Sequence, residues 1–184
     1  MFNSVVAANR AAFAAFGVQQ DGADTEDVVE PVDRIEPDED LPEWHVSLSE
    51  DHPDYLGVGD RAEFTKTISE DDVRQFAAAS GDTNPLHLDD EFAENTRFRG
   101  RIAHGTLVGS LISAALARLP GLTIYLSQDL EFHNPVRIGD RLTAECEIVE
   151  DLGDDQYRLT TRVVDEGEVA IDGEAVVLID DLPN

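Results

Sequence analysis

Residues 103–119 read AHGTLVGSLISAALARL and are followed directly by Pro120-Gly121. Apolar residues occupy almost every side of a 3.6-residue turn in this stretch, and only small polar residues separate them: Thr106, Ser110 and Ser113. The pattern predicts one long helix without a broad polar face, which other elements should surround. Arg118, at the negative end of the helix dipole, and the proline that follows mark its C-terminal end.

The sequence around this helix predicts an antiparallel sheet. Four runs of alternating apolar and polar residues follow it, at 123–133, 141–150, 156–165 and 168–179, and short turn sequences separate them. Upstream, residues 61–68 alternate in the same way, and Ser69 caps a helix that ends at Ser80-Gly81. This order gives an α+β fold in which the long helix lies across one face of the sheet.

The composition is strongly acidic. The chain of 184 residues has 40 acidic and 13 basic residues, a formal net charge of -27 and a single lysine, Lys66. Acidic residues spread along the whole chain, with arginine in place of lysine, indicate a surface that stays hydrated in concentrated salt. We therefore expect a halophilic protein. We expect no nucleic-acid partner, because this negative field repels phosphates.

The cysteine count and the hydropathy limit the class of protein further. Cys146 is the single cysteine, which excludes an intrachain disulfide and a cysteine-rich metal site. No His, Asp and Glu set has convincing metal-ligand spacing, so no metal is expected. No apolar run reaches the roughly 18 to 20 residues that span a bilayer, and the N-terminus lacks a secretion signal. A cytoplasmic location follows.

The first 50 residues form a predicted acidic extension to a domain at 51–184. Phe2, Val5, Phe13 and Phe16 have helical spacing and predict a short amphipathic helix within residues 1–18. This helix either packs on the domain or a partner subunit, or anchors the protein to a lipid or polymer granule surface. Residues 19–50 are acidic and rich in proline, which is typical of a linker, and Trp44 is the side chain that would contact the domain.

The stretch richest in chemical groups is SGDTNPLHLD at 80–89. An Asn-Pro bend separates Asp82 from His87 and can bring the carboxylate and the imidazole to one water molecule. Asn84 can hold one of them, and Gly105 can present an unpaired backbone N–H to a developing negative charge. These groups suit proton transfer next to a carbonyl. Taken singly, such an Asp is typical of a turn, and a lone His is usually not catalytic.

Three separated motifs identify a family. GDTNPLH at 81–87, FRGRIAHG at 98–105, and LEFHNPV at 130–136 with IGD at 138–140 occur in this order around the long helix. Together they resemble the MaoC-like family of (R)-specific enoyl-CoA hydratases over residues 57–180. The resemblance implies a hot-dog fold, in which an antiparallel sheet wraps the long helix. It also implies a homodimer with active sites near the subunit interface.

The resemblance implies a lyase. Asp82 would activate the water that adds to a trans-2-enoyl thioester, His87 would assist the proton transfers, and Asn84 would support the pair. Gly105 would bind the thioester oxygen as the enolate forms. The expected product is an (R)-3-hydroxyacyl-CoA in fatty-acid or polyhydroxyalkanoate metabolism, with no cofactor. Which of Asp82 and His87 holds the proton at rest is left open, because two coupled groups titrate as a pair.

The substrate-binding residues are predicted next to this pair. They are Arg97, Arg99, Arg101 and His104. The arginines either attract the phosphates of CoA or pair with the nearby acidic residues 89–91. His104 has a second interpretation, as a neutral structural residue, because a helix N-terminus disfavours an imidazolium.

Two other functions remain as alternatives. One is an acyl-CoA thioesterase on the same fold, and the other is a granule-associated binding or scaffold protein that uses residues 1–18. The acyl carrier is CoA or acyl carrier protein. The acidic surface favours CoA, since it would repel an acidic carrier protein.

Overall fold

The computed structural model describes residues 40–182, which contain an antiparallel sheet and four helices. Two of the helices were predicted, and the other two are short and lie in the predicted loop between them. The N-terminal half contains a 3-10 turn at Pro53–Tyr55 and these elements: β1 His45–Leu48, β2 Arg61–Thr67, α1 Glu70–Ser80, α2 Pro85–Leu88, α3 Asp90–Glu94 and α4 Gly105–Leu116. The C-terminal half has four strands: β3 Leu122–Phe132, β4 Arg141–Gly153, β5 Gln156–Asp165 and β6 Glu168–Asp180. The predicted meander holds for β4, β5 and β6, whereas β3 pairs with β6 instead of β4. The amphipathic helix predicted within residues 1–18 lies outside the described residues.

The six strands form one sheet in the order β1-β2-β4-β5-β6-β3, with every pair antiparallel. Strand β4 shows the alternation that the sequence predicts, because its buried residues are Leu142, Ala144, Cys146 and Ile148. Cys146 fills the core as expected, and burial raises the pKa of its thiol to about 12. The thiol is therefore protonated and unreactive near neutral pH.

Helix α4 packs on the buried face of this sheet. Its buried residues are Val108, Leu111, Ile112, Ala115 and Leu116, and it contacts β2, β4, β5 and β3. The predicted α+β fold, an antiparallel sheet wrapped around a long helix, is confirmed. The helix begins at Gly105 rather than at residue 103, because the Ala103 N–H donates to Val136 O and keeps the chain extended there.

One side of α4 is open to solvent in the single chain. Thr106, Ser110, Ser113 and Ala117 are exposed and follow one another at intervals of three or four residues. The sheet therefore covers only part of the helix. The sequence did not predict an exposed face, because small residues without charge are compatible with burial and with exposure alike.

Strand β1 was not predicted. It lies in the segment assigned to the extension and pairs with β2 from His45 opposite Thr65 to Leu48 opposite Ala62. Trp44 packs edge-on against Phe64, with ring centroids 5.3 Å apart, which is the kind of contact expected of this residue. Because β1 is held by backbone hydrogen bonds and has no buried residue, its sequence carries little apolar signal. No helix within residues 40–182 is both long and apolar enough to cross a bilayer.

Candidate active site

Helix α1 delivers the chain to the site. Ser69 and Asp72 form a capping box at its start, in which each side chain accepts a hydrogen bond from the other residue's backbone N–H. At its end Gly81 has a φ of 78°, a left-handed conformation that glycine adopts without steric cost. The chain therefore turns sharply at Gly81, directly before Asp82.

Asn84 shapes the loop between the two predicted catalytic residues. Its backbone N–H donates to Asp82 Oδ1 at 3.2 Å, and its side-chain Oδ1 accepts from the Leu86 N–H at 3.0 Å. The second bond caps α2, the short helix that carries His87. Asn84 thus contacts the carboxylate through its backbone, while its side chain orders the helix that holds the imidazole.

His87 is buried, with 8% of its surface exposed, and its tautomer is fixed by the backbone. Nδ1 lies 2.8 Å from the carbonyl oxygen of Ile102. A carbonyl oxygen only accepts hydrogen bonds, so Nδ1 carries the hydrogen. In the neutral ring Nε2 is then the basic nitrogen, available to accept a proton or a hydrogen bond.

His104 is the most deeply buried titratable group of the site, with 1% of its surface exposed. Its Nε2 lies 3.0 Å from the backbone oxygen of Asp82, so Nε2 carries the hydrogen. The ring stacks on His87 with centroids 3.9 Å apart and 31° between the planes, and it also contacts Phe76 at 5.0 Å. Of the two roles predicted for His104, this burial favours the structural one.

Asp82, His87 and His104 converge. One ligating atom from each lies within 4.8 Å of the other two, so the loop does bring the predicted pair together. By position these three residues could also hold a metal ion, as could the exposed set Glu131, His133 and Asp172. The absence of a metal remains a prediction. In its acid/base role the pair offers a carboxylate and an imidazole nitrogen, two groups that can accept the protons of one water molecule.

A cavity of about 380 Å³ opens beside this cluster. Its walls include His87 and Gly105, and the other lining residues are Arg97, Phe98, Ile102, Ala103, Val108, Phe132, His133, Asn134, Pro135, Val136 and Ile171. Most of the wall is apolar, which suits an acyl chain. Asp82 and His104 do not line it, and the carboxylate of Asp82 reaches the cluster from the solvent side.

Gly105 is the first residue of α4, where backbone N–H groups have no partner inside the helix. No atom of residues 40–182 accepts a hydrogen bond from its N–H. A Cβ at this position would lie 2.8 Å from Cε1 of Phe132, so only glycine fits against this ring as it stands. The predicted N–H donor is therefore available at the cavity wall.

The three predicted arginines differ in their surroundings. Arg101 has 16% of its side chain exposed and donates to both carboxylate oxygens of Glu70 at 2.8 Å and to Asp90 at 2.7 Å. Arg101 therefore follows the second of the two predicted alternatives, pairing with the acidic residues 89–91, and Glu70 is a partner that was not predicted. Arg97 and Arg99 are exposed and form no ion pair within residues 40–182, and Arg97 lines the cavity.

The structure adds residues that the sequence analysis missed. Arg137 lies in the turn before β4 and donates hydrogen bonds to the backbone oxygens of Phe98, Gly100 and Arg101. These bonds hold residues 98–101 against that turn. The motif from residue 130 to 140 surrounds it, but a surface arginine in a turn carries no signal of a backbone contact. Phe132 falls inside the same motif. Its packing on Gly105 joins two distant segments, which alternation along a strand cannot reveal.

A larger concavity, about 760 Å³, lies on the outer face of the sheet. Acidic residues and two paired arginines line it, with Arg61 bound to Glu147 and Arg162 to Glu145. It contains no histidine and no unpaired helix N-terminus. Size therefore does not mark the reactive site in this protein, and the smaller cavity has the chemistry.

Comparisons with known proteins agree with this site. The model of the MaoC like domain matches residues 57–172. The (R)-specific enoyl-CoA hydratase of Aeromonas caviae is 46% identical over 127 residues, covering 66% of this chain and 94% of that enzyme. The 3-hydroxybutyryl-CoA dehydratase of Methylorubrum extorquens is 44% identical over 142 residues, covering 76% of this chain and 88% of that enzyme.

Solved structures show the same fold. The unliganded (R)-hydratase PhaJ1 of Pseudomonas aeruginosa superposes with a TM-score of 0.67 at 45% identity, over 76% of this chain and 90% of that chain. The (R)-hydratase of Aeromonas caviae, described as involved in PHA biosynthesis, gives a TM-score of 0.65 at 43% identity, over 68% and 98%. The hot-dog fold is confirmed, and the chain belongs to the MaoC-like family.

Proposed function

We propose that this protein is an (R)-specific enoyl-CoA hydratase, which adds water to trans-2-enoyl-CoA and catalyses the reverse dehydration. One observation carries the proposal: the cluster of Asp82 and His87 stands beside a mostly apolar cavity whose wall holds the unpaired N–H of Gly105. A base pair for water and a donor for the thioester oxygen are the two components that this addition needs.

The reaction follows from these groups. A water molecule donates its two hydrogens to the Asp82 carboxylate and to His87 Nε2, so its oxygen lone pair can attack C3 of the enoyl thioester. As the O–C3 bond forms, one member of the pair takes a proton and the electrons of the C2–C3 double bond move onto the thioester oxygen. The Gly105 N–H stabilises this enolate. When the carbonyl reforms, C2 receives the proton, and the net change is addition of H and OH.

CoA is the acyl carrier in this proposal. Arg97 and Arg99 are exposed and form no ion pair within the described residues, and Arg97 lines the cavity. They would supply positive charge where the phosphates enter. Arg101 forms ion pairs with Glu70 and Asp90 and so connects α1 to α3. His104 belongs to the predicted substrate-binding set but lies against His87 instead of in the cavity wall.

The mechanism as proposed uses only side chains and one backbone group of this chain, and no metal or organic cofactor. Dialysis against a chelator should therefore leave the hydration rate unchanged. We propose a cytoplasmic location and a role in fatty-acid or polyhydroxyalkanoate metabolism. For residues 1–18 the proposal retains both predicted roles, a helix that packs on the protein and an anchor to a granule surface.

A homodimer is part of the proposal. Within residues 40–182, strand β3 is an edge strand that pairs with β6 alone, and its exposed apolar residues are Leu122, Ile124, Tyr125, Leu126 and Phe132. Proteins rarely leave a long apolar edge strand uncovered. Phe132 ends this strand and lines the cavity, so a second subunit on β3 would lie next to the active site.

The test is hydration of crotonyl-CoA in high salt, measured as loss of the conjugated double bond. We expect activity in the wild type and a loss of about 10² to 10⁴-fold in Asp82→Ala and in His87→Ala, each still folded. Thiol release is followed in parallel. Release of CoA without hydration would establish the thioesterase alternative, and no reaction with enoyl-CoA of any chain length would leave the scaffold alternative.

A further inference from the structure

The mechanism described above does not use the imidazole of His104. The group is almost completely buried, its Nδ1 has no hydrogen-bond partner within residues 40–182, and it lies outside the cavity wall. A buried polar group is expensive to retain unless it makes a useful contact. Of its three contacts, two are with the proposed catalytic pair, the backbone of Asp82 and the ring of His87, and the third is with the ring of Phe76.

We infer that His104 is a positioning residue that fixes Asp82 and His87 relative to each other. The inference rests on the proposed function, because it assigns His104 a role in the hydratase pair. His104 acts through these two residues and does not line the cavity in which the substrate would lie.

The first positioning contact is the hydrogen bond from His104 to the backbone of Asp82. His104 Nε2–H donates to the carbonyl oxygen of Asp82 at 3.0 Å, and His104 is itself the N-cap of α4. Asp82 lies on an exposed loop whose other fixed points are local, such as the Ser80 hydroxyl and the Asn84 backbone. The bond from His104 is the contact that ties this loop to the core helix.

The second positioning contact is the stacking of the His104 ring on His87. His87 is held in its own plane by the bond from Nδ1 to Ile102 O, but a single bond leaves the ring free to pivot about it. The ring of His104, with its centroid 3.9 Å away and its plane tilted by 31°, blocks one face of His87, and Phe76 supports His104 in turn. The two contacts therefore fix the position of His87 Nε2 within the cluster of Asp82, His87 and His104.

Three variants separate the two contacts in the full chain. In His104→Gln an amide N–H can reach Asp82 O, in His104→Phe a ring can stack on His87 without donating, and in His104→Ala both contacts are lost. With crotonyl-CoA we expect His104→Ala to lower kcat about 10²-fold, the usual penalty for a small misplacement of catalytic groups, while KM changes less than about threefold. We expect His104→Gln to recover at least about tenfold of that loss.

The inference is overturned if kcat of His104→Ala stays within about threefold of the wild type, or if KM alone changes. It is also overturned if His104→Gln and His104→Phe both lose the same activity as His104→Ala, because neither the restored hydrogen bond nor the restored ring contact would then position the pair. Should His104→Ala fail to fold, the comparison of the Gln and Phe variants with the wild type still decides, since both nearly preserve the side-chain volume.

A second measurement needs no substrate. In protein labelled with ¹⁵N-histidine, the five histidines of the chain give separate ring signals, and His87→Ala identifies that of residue 87. We expect the His87 signals to broaden or split in His104→Ala, while those of His52 stay unchanged. Unchanged His87 signals would refute the positioning role even in an active enzyme. If the wild type hydrates no enoyl-CoA, the proposed function fails, and the spectra still report whether His104 orders His87.

Discussion

The ring of Phe132 lies directly against Gly105, so closely that a Cβ at position 105 would stand 2.8 Å from Cε1 and 3.0 Å from Cδ1 of the ring. The first residue of α4 and the last residue of β3 therefore form one wall of the cavity, although 26 positions separate them in the sequence. The contact places an aromatic edge beside the N–H that we assign to the thioester oxygen.

We expect Gly105→Ala to displace this ring and to lower kcat/KM for crotonyl-CoA by at least about tenfold, because the wall beside the oxyanion donor moves. Stability should change by less than about 1 kcal/mol, since Phe132 is 56% exposed and can shift outward.

A double-mutant cycle with Phe132→Leu separates the two residues. Leu has no ring edge, so the Gly105→Ala change should cost less than about threefold in the Phe132→Leu background. Equal losses in both backgrounds would show that the methyl group acts on the donor itself and that the ring is irrelevant.

The surroundings of the arginines predict a specific pattern of Michaelis constants. We expect Arg97→Glu and Arg99→Glu to raise KM for crotonyl-CoA by about tenfold, by removing an attraction to phosphate and adding a repulsion. The same variants should leave KM unchanged for the crotonyl thioester of N-acetylcysteamine, which has no phosphate.

Arg158→Glu is the matched control for charge. Arg158 lies on β5 and pairs with Glu150 at 2.9 Å, away from the cavity. An equal rise in KM in all three variants would mean that net charge, and not a phosphate site, controls binding. An unchanged KM in Arg97→Glu and Arg99→Glu would end the assignment of these residues to CoA.

Glu70 links stability to pH. Hydrogen bonds from Arg101 lower the pKa of Glu70 below its ordinary value of 4.5. A carboxyl whose pKa is depressed on folding stabilises the folded state fully above the unfolded pKa and loses this contribution as pH falls through the folded value. Near pH 7 we expect Glu70→Gln to lower the free energy of unfolding by about 1 kcal/mol, a modest effect because Glu70 is partly exposed to solvent.

Unfolding by urea at a series of pH values tests this expectation. The difference between wild type and Glu70→Gln should be constant well above pH 4.5 and should shrink below it. Glu150→Gln, which breaks a pair on the exposed sheet surface, should cost less than about 0.5 kcal/mol. A difference that grows as the pH falls would contradict the sign of the Glu70 contribution.

The net charge of -27 predicts a dependence of stability on salt. Raising KCl from 0.1 to 2 M shortens the screening length from about 10 Å to below 3 Å and relieves repulsion among the carboxylates. We expect the free energy of unfolding to rise by about 2 kcal/mol. At this chain length such a change moves the melting temperature by about 4 to 8 °C.

Asp154 and Asp155 provide a control for the salt effect. Both are exposed in the β4–β5 turn with φ of 52° and 59°, a conformation that asparagine tolerates. The double change Asp154→Asn and Asp155→Asn should reduce the dependence on salt without changing the turn. Stability that is the same at both salt concentrations would remove the basis for the halophilic interpretation.

The sequence was sufficient where one local pattern determines one feature. Alternation placed β2, β4, β5 and β6, and the Ser69 cap and Gly81 bounded α1, since period and capping are encoded within each segment. The motif at 81–87 also brought Asp82 and His87 together as expected.

Contacts between distant segments could not be predicted in this way. The stacking of His87 on His104, the ring of Phe132 on Gly105, and the bonds from Arg101 to Glu70 each join residues whose neighbourhood depends on how whole elements pack. Nothing in residues 98–101 distinguishes the partly buried, paired Arg101 from the exposed Arg99. The sequence predicted that Asp82 and His87 lie close together, and the structure was needed to show which residues contact them.

The exposed edge strand β3 predicts a dimer interface. In the part of the chain that the structure describes, β3 has no neighbour on its outer side, and Ile124 is 42% exposed. If a second copy covers this strand, a charge at Ile124 must be buried or the interface must open, and both are costly. We expect Ile124→Arg to convert the dimer to a monomer in analytical ultracentrifugation at high salt. Val58→Arg, the same change at a turn residue that is 63% exposed, should leave the dimer intact.

The activity of the monomer then shows what the interface contributes. Because β3 ends in Phe132 at the cavity, we expect loss of the dimer to raise KM for crotonyl-CoA more than it lowers kcat: Asp82, His87 and Gly105 all come from one chain, while part of the cavity wall adjoins the edge. A wild type that sediments as a monomer would refute the dimer. A monomeric Ile124→Arg with wild-type KM would show that the site is complete within a single subunit.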